Sequence, residues 1–139
     1  MSLGEIKVQV IPHAAQRYDT IGDYWSPFPG RLNVRISNLG DEDLEFLVLI
    51  HELVESYLCK VRGIEFDEID AFDKGHPELD EPGESSEAPY HKEHLFAESI
   101  EKQLAQELKV DWNLYMERIQ EVSSKEPRSD EFKFDQSAG

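Results

Sequence analysis

The sequence contains a single cysteine, Cys59, so an internal disulfide is excluded, as are the clustered thiolates that hold zinc in many small domains. A lone thiol fits a reducing compartment, and a cytoplasmic location is the expectation. Long apolar runs are missing too. No stretch approaches the roughly 20 residues needed to span a bilayer, and the first residues lack the basic-then-apolar layout of a secretion signal. Basic residues are scarce: 14 Lys and Arg stand against 30 Asp and Glu, a net charge of −16. A nucleic-acid backbone needs a Lys/Arg surface, so nucleic acid and membrane are both set aside as partners. A negative field of this kind does favour a held cation. What remains, 139 residues with 39% hydrophobic and 10% aromatic side chains, is enough for one folded domain with a real core.

Within that composition, one segment stands out. "LVLIHELVESYL", residues 47–58, sets His51, Glu52 and Glu55 among Leu47, Val48, Leu49, Ile50, Leu53 and Val54. Burying even a neutral polar group without a partner costs roughly 2–7 kcal/mol. Something near these three residues must offset that cost.

The rest of the chain supplies the setting. "EIKVQVI" and "RLNVRIS" alternate as half-buried strands do, with Ile6, Val8, Val10 and Leu32, Val34, Ile36 inward. A further short strand is expected around Tyr24–Trp25. Asp41 or Asp43 caps a helix that runs to about Arg62 and stops at Gly63. Its apolar residues lie almost all round it, so it is expected to be central and buried. "EFDEIDAFDKGHPELDEPGESSEAP" reads as an irregular acidic connector, flexible around residues 74–90. A second helix carries the stripe Leu95, Phe96, Ile100, Leu104 and Leu108, and Asp111 caps a last one with Trp112, Tyr115, Met116 and Ile119 inward. The expected fold is α+β: a small N-terminal sheet on a bundle of about three helices over residues 1–122. A polar, disordered tail over 123–139 follows.

On a helix, residues four apart lie about 40° from each other around the axis, so His51 and Glu55 point the same way. Glu52 is rotated by roughly 100° and reaches the same space from the side. This is the spacing of the H-E-x-x-H zinc motif with glutamate in the second ligand position. The second helix answers with His91, His94 and Glu98, which fall within an arc of about 60°. Packed face to face, the two helices bring up to five nitrogen and oxygen ligands together. That donor set suits zinc, with iron or manganese as alternatives. Asp70 is a candidate outer acceptor for a ligating histidine. Tyr18, Asp19, Tyr24 and Trp25 read as packing, and His13 and His76 as loop residues without a role.

These residues carry a resemblance. Strand, strand and a buried helix bearing "HELVE" resemble a reduced zincin, the metallopeptidase fold. "QRYDTIGDYW", "HELVESYLC", "IDAFD" and "APYHKEH" together resemble an uncharacterised group of phage and bacterial proteins, over roughly residues 6–115. The zincin likeness implies His51 as metal ligand, Glu52 as general base and Glu55 in place of the second histidine. His94 is the implied third ligand, with His91 and Glu98 as rivals.

The expectation is a metal-dependent hydrolase of peptide or amide bonds that uses metal-activated water and Glu52 as base. One rival is a non-catalytic accessory protein whose metal clamps two helices. Another is a magnesium-dependent nucleotide pyrophosphohydrolase, since Glu52/Glu55 and Asp70/Asp73 imitate its paired acidic helices. The two N-terminal strands and the surplus histidines count against that last reading.

Overall fold

Alternating sequence makes the sheet. β1 (Glu5–Ile11) and β3 (Arg31–Ser37) pair in parallel, from Glu5 opposite Arg31 to Ile11 opposite Ser37. β2 (Gly22–Trp25) runs antiparallel along the other side of β3. The computed structural model describes residues 2–125, and in it the strand order is β1-β3-β2. Ile6, Val8 and Val10 stand opposite Leu32, Val34 and Ile36, so all six face the same side. There β3 is covered and β1 is not. Val34 and Ile36 are buried, whereas Ile6, Val8 and Val10 remain 42–49% exposed. The expected burial of β1 is thus corrected: α1 (Glu42–Val61) packs across β3 and β2, and β1 lies at the sheet edge.

α1 begins where the sequence says it should. The Asp41 carboxylate accepts the Leu44 amide at 3.1 Å, and Glu42, Asp43 and Glu45 complement the positive end of the helix dipole. The helix closes at Arg62, just before Gly63. Leu47, Val48 and Cys59 join the core. The helix is less central than its composition suggests, because Phe46, Tyr57 and Val61 form an exposed side.

The helical part is larger than expected, with four helices among the described residues rather than about three: α1, α2 (Phe66–Gly75), α3 (His91–Glu107) and α4 (Trp112–Lys125). α2 replaces the first part of the supposed irregular connector. Glu68 reaches back to the Glu65 amide at 2.9 Å and starts it, Ile69 is buried, and Phe66 meets Tyr24 edge-on at 5.1 Å. Beyond α2, residues 76–90 run through turns and one short 3₁₀ turn, Pro82–Glu84. α4 passes Ser123 and continues to Lys125; the remainder of the expected tail lies outside the described residues. Among the described residues, no helix is long and apolar enough to cross a membrane.

α3 lies along α1 with an unexpected face inward. Leu95 and Phe96 of its apolar stripe are exposed, while Glu93, His94, Ala97, Glu101 and Ala105 are buried. α4 adds the fully buried Tyr115, whose hydroxyl donates to Glu101 of α3, with Trp112, Met116 and Ile119 packed against the core.

α2 is fastened to the sheet by one cation. The Arg17 guanidinium donates to Asp23 of β2 at 2.8 and 2.9 Å and to Asp70 of α2 at 3.1 and 3.2 Å. It also lies 4.2 Å from the centre of the Trp25 ring. Asp23 is 2% exposed, and burial raises its carboxyl above the usual range while Arg17 pulls it back. Arg17→Ala is therefore expected to cost about 3 kcal/mol at pH 7, because it strands a buried charge. Without Arg17 the folded-state pKa of Asp23 climbs further, so the loss should shrink as pH falls toward 4 and the carboxyl takes up a proton. Urea denaturation at the two pH values measures both; an equal loss at each would remove Asp23 as the cause.

Candidate metal centre

The two polar faces meet as the spacing predicts. His51 and Glu55 sit one turn apart on α1, His94 faces them from α3, and all three are buried. His51 Nε2 lies 3.0 Å from Glu55 Oε1 and 3.2 Å from His94 Nδ1, and His94 Nδ1 lies 3.0 Å from the same Glu55 oxygen. The result is a nearly equilateral triangle of donor atoms. Around a four-coordinate zinc with bonds of 2.0–2.1 Å, donor atoms stand about 3.3 Å apart. The three atoms already approximate one face of such a tetrahedron.

Each corner of the triangle is fixed from behind. His51 Nδ1 donates to Glu101 Oε1 at 2.7 Å, and Glu101 Oε2 accepts the Tyr115 hydroxyl at 2.5 Å. His94 Nε2 donates to Glu84 Oε2 at 3.0 Å. Glu55 Oε2 accepts the Tyr24 hydroxyl at 2.6 Å. Carboxylates only accept, so they place a proton on the outer nitrogen of each ring. The inner nitrogens of two neutral rings then present lone pairs toward a third on Glu55. Such a cluster needs positive charge at its centre, from a proton on His51 or from a metal cation. With protons alone, burial opposes charging of His51, but hydrogen bonds to Glu101 and Glu55 raise its pKa to about 11. Burial likewise opposes ionisation of Glu55, and the two histidines hold it down at about 2. His94 is also raised: burial opposes this, and the Glu55 contacts outweigh burial.

The cluster opens into a cavity of about 520 Å³ bounded by β2, α2, the connector, α3 and α4. Glu52 lines it and makes no hydrogen bond to another described residue. Burial first, and the Glu55 charge second, push its carboxyl well above the ordinary range. Two glycines let backbone come close to the site. A Cβ on Gly22 of β2 would lie 2.5 Å from Glu52 Oε2, and one on Gly83 would lie 2.5 Å from the His94 ring.

Other predicted residues fall elsewhere. His91 donates from Nδ1 to the Gly83 carbonyl at 2.9 Å and does not join the triangle. Glu98 belongs instead to a second group, with Glu81 and Glu84, around the outer side of His94. Asp70 holds Arg17 rather than a histidine. Asp73 accepts the hydroxyls of Tyr18 and Tyr90 and lines the same cavity as Asp70, Glu52 and Glu55. His13, which carried no expected role, is buried between Ser37 and Asp19, and the fully buried Ser37 leaves that trio no access for a reactant. The expectation missed Glu101, Tyr24, Tyr115 and Glu84. Glu101 could have been found, since it lies two turns beyond His94 on the same helix face. No family model, curated protein or solved structure matches this chain.

Asp73 gives a pH signature near the cavity. Burial raises its carboxyl to about 6, against the lowering effect of the Tyr90 and Tyr18 hydroxyls. A carboxyl raised in the folded state stabilises most below its unfolded pKa of 3.8 and loses that contribution as pH climbs to about 6. The Asp73 side-chain carbon-13 resonance is expected to titrate with a midpoint near 6. A midpoint near 4 would show that the two hydroxyls outweigh burial.

Proposed function

We propose that the protein is a zinc-dependent hydrolase of peptide or amide bonds, built on a zincin-like core. The observation that carries this reading is the convergence of His51 Nε2, Glu55 Oε1 and His94 Nδ1 at the wall of a cavity that also holds Glu52. Three protein donors with room for a fourth ligand is the pattern of catalytic zinc, whereas structural zinc takes four protein donors. Iron or manganese suits the same donors less specifically. Bound zinc would supply a Lewis acid that polarises a carbonyl and acidifies water. Glu52, without a hydrogen-bond partner among the described residues, would take a proton from the attacking water and return it to the leaving nitrogen. Glu101 and Glu84 hold the two imidazoles in the tautomer that leaves their inner nitrogens free, and Tyr24 fixes the angle of Glu55. The lone buried Cys59 supports a cytoplasmic setting.

A non-catalytic clamp is the second reading, and one observation favours it: the triangle joins α1 to α3, whose mutual packing is the main helix–helix contact. Chelation separates the two. A clamp would lose its fold when stripped of metal; an enzyme would lose turnover with the fold retained.

Elemental analysis of protein purified under zinc-replete conditions is expected to find close to one zinc per chain, with His51→Ala and His94→Ala each reducing it severalfold or more. Equal metal content in all three would reject the triangle as the site.

Glu52→Gln is expected to retain the metal and to lower any peptide or amide turnover by at least about 100-fold, the lower range for a general base. Turnover at the wild-type level would take Glu52 out of the chemistry.

A further inference from the structure

The two imidazoles are held from behind by very different parts of the chain. Glu101, which holds His51, sits on α3 itself, is buried, and is fixed in turn by Tyr115. Glu84, which holds His94, comes from the short turn Pro82–Glu84 and is 45% exposed. That turn makes three contacts with the start of α3. Glu84 accepts from His94 Nε2, the Gly83 carbonyl accepts from His91 Nδ1, and the Gly83 backbone packs against the His94 ring, leaving no room for a Cβ. The far end of residues 82–90 is anchored separately, by the buried Ala88 and by Tyr90, whose hydroxyl donates to Asp73, while local backbone bonds such as Ser85 to Pro82 and Ala88 to Ser85 keep the part between in turns.

We propose that Glu84 is a positioning residue whose bond to His94 couples the folding of residues 82–90 onto α3 to cation binding at the His51–Glu55–His94 triangle. This rests on the metal reading above and adds the element that controls it. The argument is one of reciprocity. A carboxylate behind a ligating imidazole fixes the ring and makes its inner nitrogen a better donor, and losing such a partner typically weakens metal binding by 10–100-fold. Whatever factor the seated turn adds to cation affinity, the cation must return as stability of the seated turn. His51 has no comparable dependence, because its partner cannot leave without unfolding α3. His91 then has a use that its place on the histidine-rich face did not suggest: it anchors the turn that carries Glu84.

The test uses the whole chain and zinc as the probe. Zinc affinity is measured by competition with a chromophoric chelator, and amide hydrogen exchange over residues 82–90 is followed with and without zinc. The variants are Glu84→Gln and, as a control that removes the same charge from the same segment, the exposed Glu87→Gln. Zinc is expected to slow exchange across 82–90 in the wild-type chain. Glu84→Gln should bind zinc about 10–100-fold more weakly and lose zinc-induced protection by a similar factor, with protection of α1 retained. Glu87→Gln should match wild type in both. Wild-type affinity in Glu84→Gln, a loss shared equally by Glu87→Gln, or exchange over 82–90 that ignores zinc in the wild-type chain would each overturn the coupling. If the wild-type chain does not bind zinc at all, the metal reading itself falls, a result distinct from any of these.

Discussion

Three electron-rich atoms from two helices meet within 3.0–3.2 Å in the interior, and the arrangement holds only with positive charge among them. Much of the architecture follows from that demand. α3 must turn Glu93, His94 and Glu101 toward α1, so its larger apolar residues Leu95 and Phe96 are left facing solvent. Ala97 and Ala105 take the remaining inward positions, where small side chains let the helices approach closely enough for imidazoles and carboxylates to touch. A helix pair chosen for stability alone would bury Leu and Phe there, since replacing buried ionic groups with apolar ones is often neutral or stabilising. The polar faces instead satisfy one another through the contacts among His51, Glu55, His94 and Glu101.

Hydroxyl groups complete the arrangement. Tyr24, Tyr115, Tyr18 and Tyr90 each donate to a carboxylate around the cavity, respectively Glu55, Glu101, Asp73 and Asp73. Each ring adds apolar surface while its hydroxyl satisfies a carboxylate at the cavity wall. In a chain with twice as many acids as bases this is an economical answer: the few cations are not enough, and Arg17 alone already serves two aspartates. Charge is thus balanced locally by imidazole and phenol, while the excess carboxylates remain at the surface.

How much of this could be read from the sequence depended on the distance over which each feature is decided. α1, its Asp41 cap and the pairing of His51 with Glu55 are set within a few residues, and helical spacing revealed them. His94 as the third donor needed only the assumption that two polar faces meet. Ile6, Val8 and Val10 misled because alternation tells which residues share a face, not whether a helix covers that face. α2 was hidden by its acids: Asp67, Glu68, Asp70 and Asp73 look like connector, yet Ile69 is buried, the half-buried Phe66 packs on the core, and Arg17, 53 residues away from Asp70, holds it down. Glu84 was the least accessible, because an exposed acid in a turn-rich stretch gains its meaning only from where the turn lands.

The glutamate at position 55 shapes the chemistry the centre can support. Compared with a neutral imidazole, a carboxylate donor brings negative charge to a bound dication and should leave nearby water less acidic. Two features of the structure act against that. The Tyr24 hydroxyl, 2.6 Å from the outer Glu55 oxygen, draws charge away from the inner one, and the carboxylate meets the triangle through Oε1 alone. Glu101 and Glu84 would act the other way on a bound cation, raising the donor strength of both rings and tightening binding at the expense of water acidity. On a bound cation, affinity and water acidity would therefore be linked, each neighbour moving the two in opposite directions. Loss of the Tyr24 hydroxyl would leave more charge on Glu55, and loss of the Glu84 carboxylate would weaken the His94 donor, so the two substitutions would push cation affinity and water acidity in opposite directions.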